Sequence, residues 1–182
     1  TVLLQGVNDT SRDTHNGNVA EVNGIIELAA SQEVIIAQWI TLAVATDGLG
    51  EDMDTTGGFD KDEVYAEIIV TQLDERKVEF TLQDPNFTLA RPFMQIQHVE
   101  PSGTDTGPTA DGYNRIPLNA EIINEISGAV FNPVAGTVTL PAGTYYFKGN
   151  SGARTGNTTN TYLRRRLLIR RADNGLTLLT GV

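Results

Sequence analysis

Two stretches of the chain concentrate residues that can do chemistry. Between 47 and 63 lie Asp47, Glu51, Asp52, Asp54, Asp60, Asp62 and Glu63, seven carboxylates against the single Lys61. An oxygen-rich, flexible loop can supply the roughly six to eight hard ligands that calcium takes. Asp47, Asp52, Asp54, Asp60 and Asp62 are the candidate metal ligands. Their spacing matches no EF-hand, and a solvated acidic loop is the competing reading. No other cofactor is expected. The second stretch is YLRRRLLIRR, residues 162–171, which holds five of the 13 basic residues. On an extended strand, where successive side chains alternate in direction, Leu163, Leu167 and Ile169 point one way with Arg165 and Arg171. Arg164, Arg166 and Arg170 point the other. An arginine ladder in a chain of net charge −10 suggests carboxylate partners, across the sheet or across a subunit interface. Solvated strand decoration is the alternative.

The other chemistry-bearing residues are sparse. His15 sits in a polar loop and His98 beside Val99 near a strand end. Both read as solvated or packed imidazoles rather than catalysts or ligands. There is no Gly-x-Ser-x-Gly elbow and no His-Glu-x-x-His, and the Gly-rich run GLGEDMDTTGG lacks the Gly-Lys-Ser/Thr of a phosphate loop. No enzyme is expected. The chain has no cysteine, which removes a disulfide framework and thiolate metal sites. A net charge of −10 argues against nucleic acid as a partner, because phosphate affinity needs a cationic surface. No apolar run approaches the roughly 18–20 residues of a membrane helix, and no basic-then-apolar leader opens the sequence.

The elements that must carry these residues follow a period of two. Lys77 to Gln83 alternates, with Val78, Phe80 and Leu82 on one face. Residues 33–45 set Val34, Ile36, Ile40, Leu42 and Val44 on one face, interrupted by Gln38. Residues 63–73 do the same with Val64, Ala66, Ile68 and Val70. Further strands are expected at 1–6, 19–28, 93–99, 136–140, 143–149, 161–171 and 175–180. Asn, Gly and Pro clusters separate them. One stretch, 119–126, offers a short helical face of Ile122, Ile123 and Ile126. About ten short strands at this spacing predict an all-β sandwich or barrel. Trp39 lies mid-strand and reads as core or interface packing; Tyr113 is the one obvious exposed aromatic on a loop.

The chain opens TVLLQGV and ends LTLLTGV. Aligned on Leu-Leu-x-Gly-Val, Leu3 and Leu4 match Leu178 and Leu179.

Residues 93–182 contain a Ser-Gly-Thr turn at 102–104, an Arg-x-x-Leu-Asn element from Arg115 to Asn119, and a Leu-Pro-Ala-Gly-Thr-Tyr run from Leu140 to Tyr145. An Arg-rich strand and an x-Leu-Leu-x-Gly strand follow. Together these resemble the globular-head domain of bacteriophage tail fibres and related virion proteins, which has the jelly roll of the complement globular head and tumour necrosis factor. The rest of that pattern resembles residues 18–43 and 57–74, at the other end of the chain. The resemblance implies one circularly permuted jelly-roll domain over 1–182. Residues 91–182 would supply its first part, 1–74 the remainder, and 75–90 an extra linking strand. Permutation is tolerated where termini lie close, and the family's first and last strands are neighbours in one sheet.

The resemblance implies a non-enzymatic virion structural protein of a tailed phage, a capsid decoration (cement) protein or a fibre head. It would work in the virion or outside the cell as a homo-oligomer, a trimer or a head-to-tail polymer. The major capsid protein or a fibre would be its further partner. Two alternatives stand beside it: an extracellular filament or sheath subunit polymerising by strand exchange, and a receptor- or glycan-binding module. Leu3, Leu4, Leu178, Leu179, Val78, Phe80, Arg164, Arg166 and Arg170 are the expected interface residues.

Overall fold

A computed structural model of the chain describes residues 10–11, 20–40, 63–73, 91–101, 112–152 and 163–181. These residues form twelve strands and no helix. Alternation builds the long ones. In β2 (Ala20–Leu28) every second residue is buried and every other one exposed. β3 (Gln32–Ile40) buries Val34, Ile36, Gln38 and Ile40 on one face, so the polar interruption of the pattern lies inside with its neighbours. β4 is Glu63–Gln72, β5 Phe93–Glu100, β10 Gly143–Ser151 and β11 Leu163–Arg171. The shorter strands are β1 (Thr10–Ser11), β6 (Gly112–Arg115), β7 (Ala120–Asn124), β8 (Val130–Asn132), β9 (Thr137–Leu140) and β12 (Thr177–Thr180).

The strands form two antiparallel sheets that make a β-sandwich. One runs β2-β10-β4-β5-β7. The other runs β1-β11-β3-β9-β8, with β12 also on β11 and β6 also on β3. Their inner faces share one core. Val22, Ile68, Ile96 and Phe147 come from the first sheet, and Val34, Ile36, Val138, Leu167, Ile169 and Leu179 from the second. Each such side chain contributes about 1.5–3 kcal/mol when fully buried, and burial on one face only is what the two-residue period encodes.

Two sequence elements carry the chain between sheets. In the Arg-x-x-Leu-Asn element, Ile116 and Leu118 are fully buried. Asn119 then fastens the chain to the first sheet: its Oδ1 accepts from the Val99 N–H (2.9 Å) and its Nδ2 donates to the Val99 carbonyl (2.7 Å). In the Leu-Pro-Ala-Gly-Thr-Tyr run, Leu140 ends β9 in one sheet and Tyr145 lies in β10 of the other, both fully buried. The Tyr145 hydroxyl donates back to the Pro141 carbonyl at 3.0 Å, which ties the crossing to its own start.

Three expectations change. The stretch 119–126 contains strand β7, not a helix: it pairs with the free edge of β5 from Ala120↔Gln97 to Asn124↔Met94. An isolated helix this short lies below the roughly 12–15 residues needed for stability in water, whereas the β5 edge supplies ready backbone partners. Val64 does not join Ala66, Ile68 and Val70 in the core. A bulge between Val64 and Ala66 inserts Tyr65, so Tyr65 turns inward at 6% exposure and Val64 outward at 54%. Tyr113 is exposed, as expected, but lies on β6 rather than on a loop. The segments 1–6, 41–45 and 77–83, with Val78 and Phe80, lie outside the described residues.

Candidate assembly surfaces

The first surface is the outer edge of β11. β12 pairs with its C-terminal half, Leu168↔Thr180 and Ile169↔Leu179, with Leu178 as the extra residue before Arg170↔Thr177. Further along the same edge, β1 pairs Thr10↔Arg164 and Ser11↔Leu163. Both are antiparallel to β11, so β12 and β1 run in one direction, end to end, beside a single strand.

The x-Leu-Leu-x-Gly motif acquires a physical meaning here. Leu179 is 1% exposed and enters the core, where it meets β2 at Gly24: a methyl group at Gly24 would come 2.5 Å from the Leu179 Cδ1. Gly181 follows on the same face. Its N–H donates to the Leu167 carbonyl at 2.6 Å, and a Cβ there would run into the backbone carbonyl of Glu21. The slot between β11 and β2 thus demands a leucine and, two residues later, a glycine. Leu178 is half-buried and packs against the same core.

The second surface is the outer face of the seven-stranded sheet. Trp39 of β3 is flanked by Arg166 of β11 and by Tyr113 of β6. Tyr113 is 55% exposed, Arg166 and Arg115 are exposed, and Trp39 and Arg170 are half-buried. The Arg170 guanidinium reaches across β3 and stacks 4.2 Å from the centroid of the Tyr113 ring. Its Nε also donates to the Gly175 carbonyl at 2.8 Å. Among the described side chains of the ladder, Arg171 has a carboxylate partner: its Nε donates to the Asp173 Oδ1 at 3.1 Å. Arg170 instead finds an aromatic face and a carbonyl, a cation–π contact available because β6 lies two strands away. Arginine, tryptophan and tyrosine grouped on a sheet face are the residue types that concentrate binding energy at protein interfaces. Arg164 pairs with Thr10 through its strand position; nothing more of it is described.

The outer face of the five-stranded sheet mixes polar and apolar residues. Glu67 on β4 accepts from Gln95 at 2.6 Å and from Gln97 at 2.8 Å, both on the neighbouring β5. Tyr146 and Ile25 face each other on β10 and β2, and Ile25 is 50% exposed.

His98 is 1% exposed on the inner face of β5. Its Nε2 lies 2.9 Å from a Glu100 carboxylate oxygen, and the Tyr65 ring packs against it at 5.9 Å. It is a packed histidine, buried beside the Tyr65 that the bulge turns inward. No group of three or more potential metal ligands occurs among the described residues. Asp47, Asp52, Asp54, Asp60 and Asp62, like His15, Leu3 and Leu4, lie outside them. The structure therefore brings together β12, Leu178 and Leu179 with β11, and Arg166 and Arg170 with two aromatics. That aromatic pairing was not readable from sequence, because β6 is four residues long and carries no alternation signal.

Comparison with protein-family models, with curated proteins and with solved structures finds no match.

Proposed function

We propose that this chain is a non-enzymatic structural subunit of a tailed-phage virion, of the capsid-decoration or fibre-head type. It is built on a circularly permuted jelly roll and acts as a homo-oligomer. The observation that carries this reading is the pairing of β4 with β5. These strands run antiparallel side by side from Glu63↔Glu100 to Thr71↔Phe93, in the interior of the five-stranded sheet. A permuted jelly roll requires this, because residues 63–72 then stand for the last strand of the unpermuted fold and 93–100 for its first. The end-to-end placement of β12 and β1 supports the same reading, since a permutation that opens a strand leaves its two halves on one edge. The Trp39–Tyr113–arginine face supplies a surface suited to subunit contacts.

Sedimentation equilibrium and negative-stain electron microscopy of the purified chain test the proposal. Discrete three-fold particles are the expected result. A protein that stays monomeric across all accessible concentrations would remove assembly from the account. A second reading, a filament subunit, is favoured by one observation only: two segments of the chain carry the residues that the β11 slot demands.

A further inference from the structure

We propose that the two broad faces of the sandwich are complementary to each other: the arginine-and-aromatic face of the seven-stranded sheet docks on the glutamate-bearing face of the five-stranded sheet of a second copy of this chain. The inference rests on the homo-oligomeric part of the preceding reading, for which it names the two faces in contact, and is independent of the virion part.

The described strands sort their charge by sheet. In the seven-stranded sheet, β11 and β6 hold six arginines, and Glu33 of β3 is the one carboxylate. In the five-stranded sheet, β2, β4, β5 and β7 hold six glutamates, and Lys148 of β10 is the one lysine or arginine. Folding alone gives little reason for this. The outward side chains of the two sheets stand farther apart than the roughly 10 Å between sheets, and the screening length is about 8 Å at physiological salt. Attraction between the two faces of one molecule is therefore weak, while like charges gathered on one sheet repel. A second copy brings the opposite faces into contact.

The strand registers place the groups. Arg166, Trp39 and Tyr113 stand in one row across β11, β3 and β6, and Leu168, Ala37 and Arg115 in the next. Arg166 and Arg115 are exposed, and neither has a carboxylate partner among the described residues. On the other sheet Glu21, Asn150 and Glu67 form one row across β2, β10 and β4. Glu21 and Glu27 are exposed and have no cationic partner among the described residues. Glu67 accepts from Gln95 and Gln97 on the same Oε1, so its Oε2 has no donor among the described residues. Arg166 and Arg115 lie two strands apart, about 10 Å at the usual spacing, and so do Glu21 and Glu67. Apolar surface accompanies the charge on both sides: Trp39 and Tyr113 on one face, Ile25 beside Tyr146 on the other. The Arg170–Tyr113 stack already holds both side chains, which lowers the ordering cost of docking. A contact between unlike faces is head-to-tail, so it either closes into a ring, a three-fold one included, or propagates.

Two charge-reversed chains test the contact: Arg115→Glu with Arg166→Glu, and Glu21→Arg with Glu27→Arg. All four positions are exposed, so the fold, read by circular dichroism, should be kept. The unaltered chain should self-associate on sedimentation, less so at high salt. Each reversed chain alone presents two faces of like sign and should sediment as a monomer at concentrations where the unaltered chain assembles. An equimolar mixture of the two should assemble again, because the intact glutamate face of the first meets the intact arginine face of the second. A folding defect cannot give that recovery. Should a double reversal disturb the spectrum, Arg166→Gln and Glu21→Gln replace it, and each should raise the dissociation constant about two- to fivefold; no change in either overturns the proposal. Assembly that survives one or both reversals overturns it and leaves the homo-oligomer standing. Two folded monomeric chains that stay monomeric on mixing overturn it too, and leave the arginine face to an acidic partner other than this chain. An unaltered chain that is monomeric at every concentration removes the homo-oligomer and this contact together.

Discussion

At Gly181 a methyl group would land on the carbonyl of Glu21, a backbone atom that cannot rotate away. Gly181→Ala should therefore cost about 1–3 kcal/mol, the range of overpacking in a filled core, read as a lower urea midpoint. Gly24→Ala is the instructive comparison. There the obstacle is the far end of the Leu179 side chain, which can change rotamer, so the loss should be smaller. Tyr145→Phe removes only the hydroxyl that donates to Pro141 and should cost about 1 kcal/mol, with the fold intact by circular dichroism. At this scale the alternating residues of β2, β5 and β10 were legible, because burial on one face writes itself into the sequence. Tyr65 was not. A bulge is set by how two strands meet, and the strand's own residues carry no mark of it. Gln38 interrupted the apolar pattern without interrupting the strand, since its neighbours on both sides continue to pair.

Among the elements, the long strands were found in sequence, as were the short β9 and β12, expected at 136–140 and 175–180; β1, β6 and β8 were missed and β7 was misread. β6 and β8 are four and three residues long, too short for two periods of alternation. They exist because β3 and β9 leave backbone groups to be paired. The stretch 119–126 looked helical because Ile122, Ile123 and Ile126 share a helical spacing. In the sandwich Ile126 is buried, at 3% exposure, while Ile122 is 54% exposed, so one isoleucine of the three serves the core fully. The proposed permutation makes a prediction at this scale. A chain that begins at residue 91, runs to 182, continues directly into residue 8 and ends at 74 omits residues 1–7 and 75–90. It retains every described strand and the β4–β5 and β11–β12 pairings. It should fold to the same far-ultraviolet spectrum, with a cooperative thermal transition. A molten or insoluble product would count against permutation as the origin of the strand order.

For the whole molecule, turn spacing predicted an all-β sandwich or barrel, and the described residues form two antiparallel sheets around one core. The pairing of strands into sheets joins residues as distant in sequence as Ala20 and Ser151 or Ile40 and Arg165, and the outer face depends on the meeting of Arg170 with Tyr113; single-sequence patterns are silent at that range. The candidate ligands Asp47, Asp52, Asp54, Asp60 and Asp62 lie outside the described residues, so their chemistry rests on sequence alone. The shared edge of β11 has a consequence in mechanics. β12 finishes opposite Leu168, mid-strand, and β1 starts opposite Arg164, near the beginning of the same strand. Tension applied between residues 10 and 181 would enter the sandwich along this one strand. It would peel each short strand from its end, one hydrogen bond at a time, rather than load the long β2–β10–β4 ladders together in shear. The molecule should yield readily when pulled through these two points and resist when gripped by its sheet faces. A sandwich of this topology therefore bears load better across its sheet faces than through these two points.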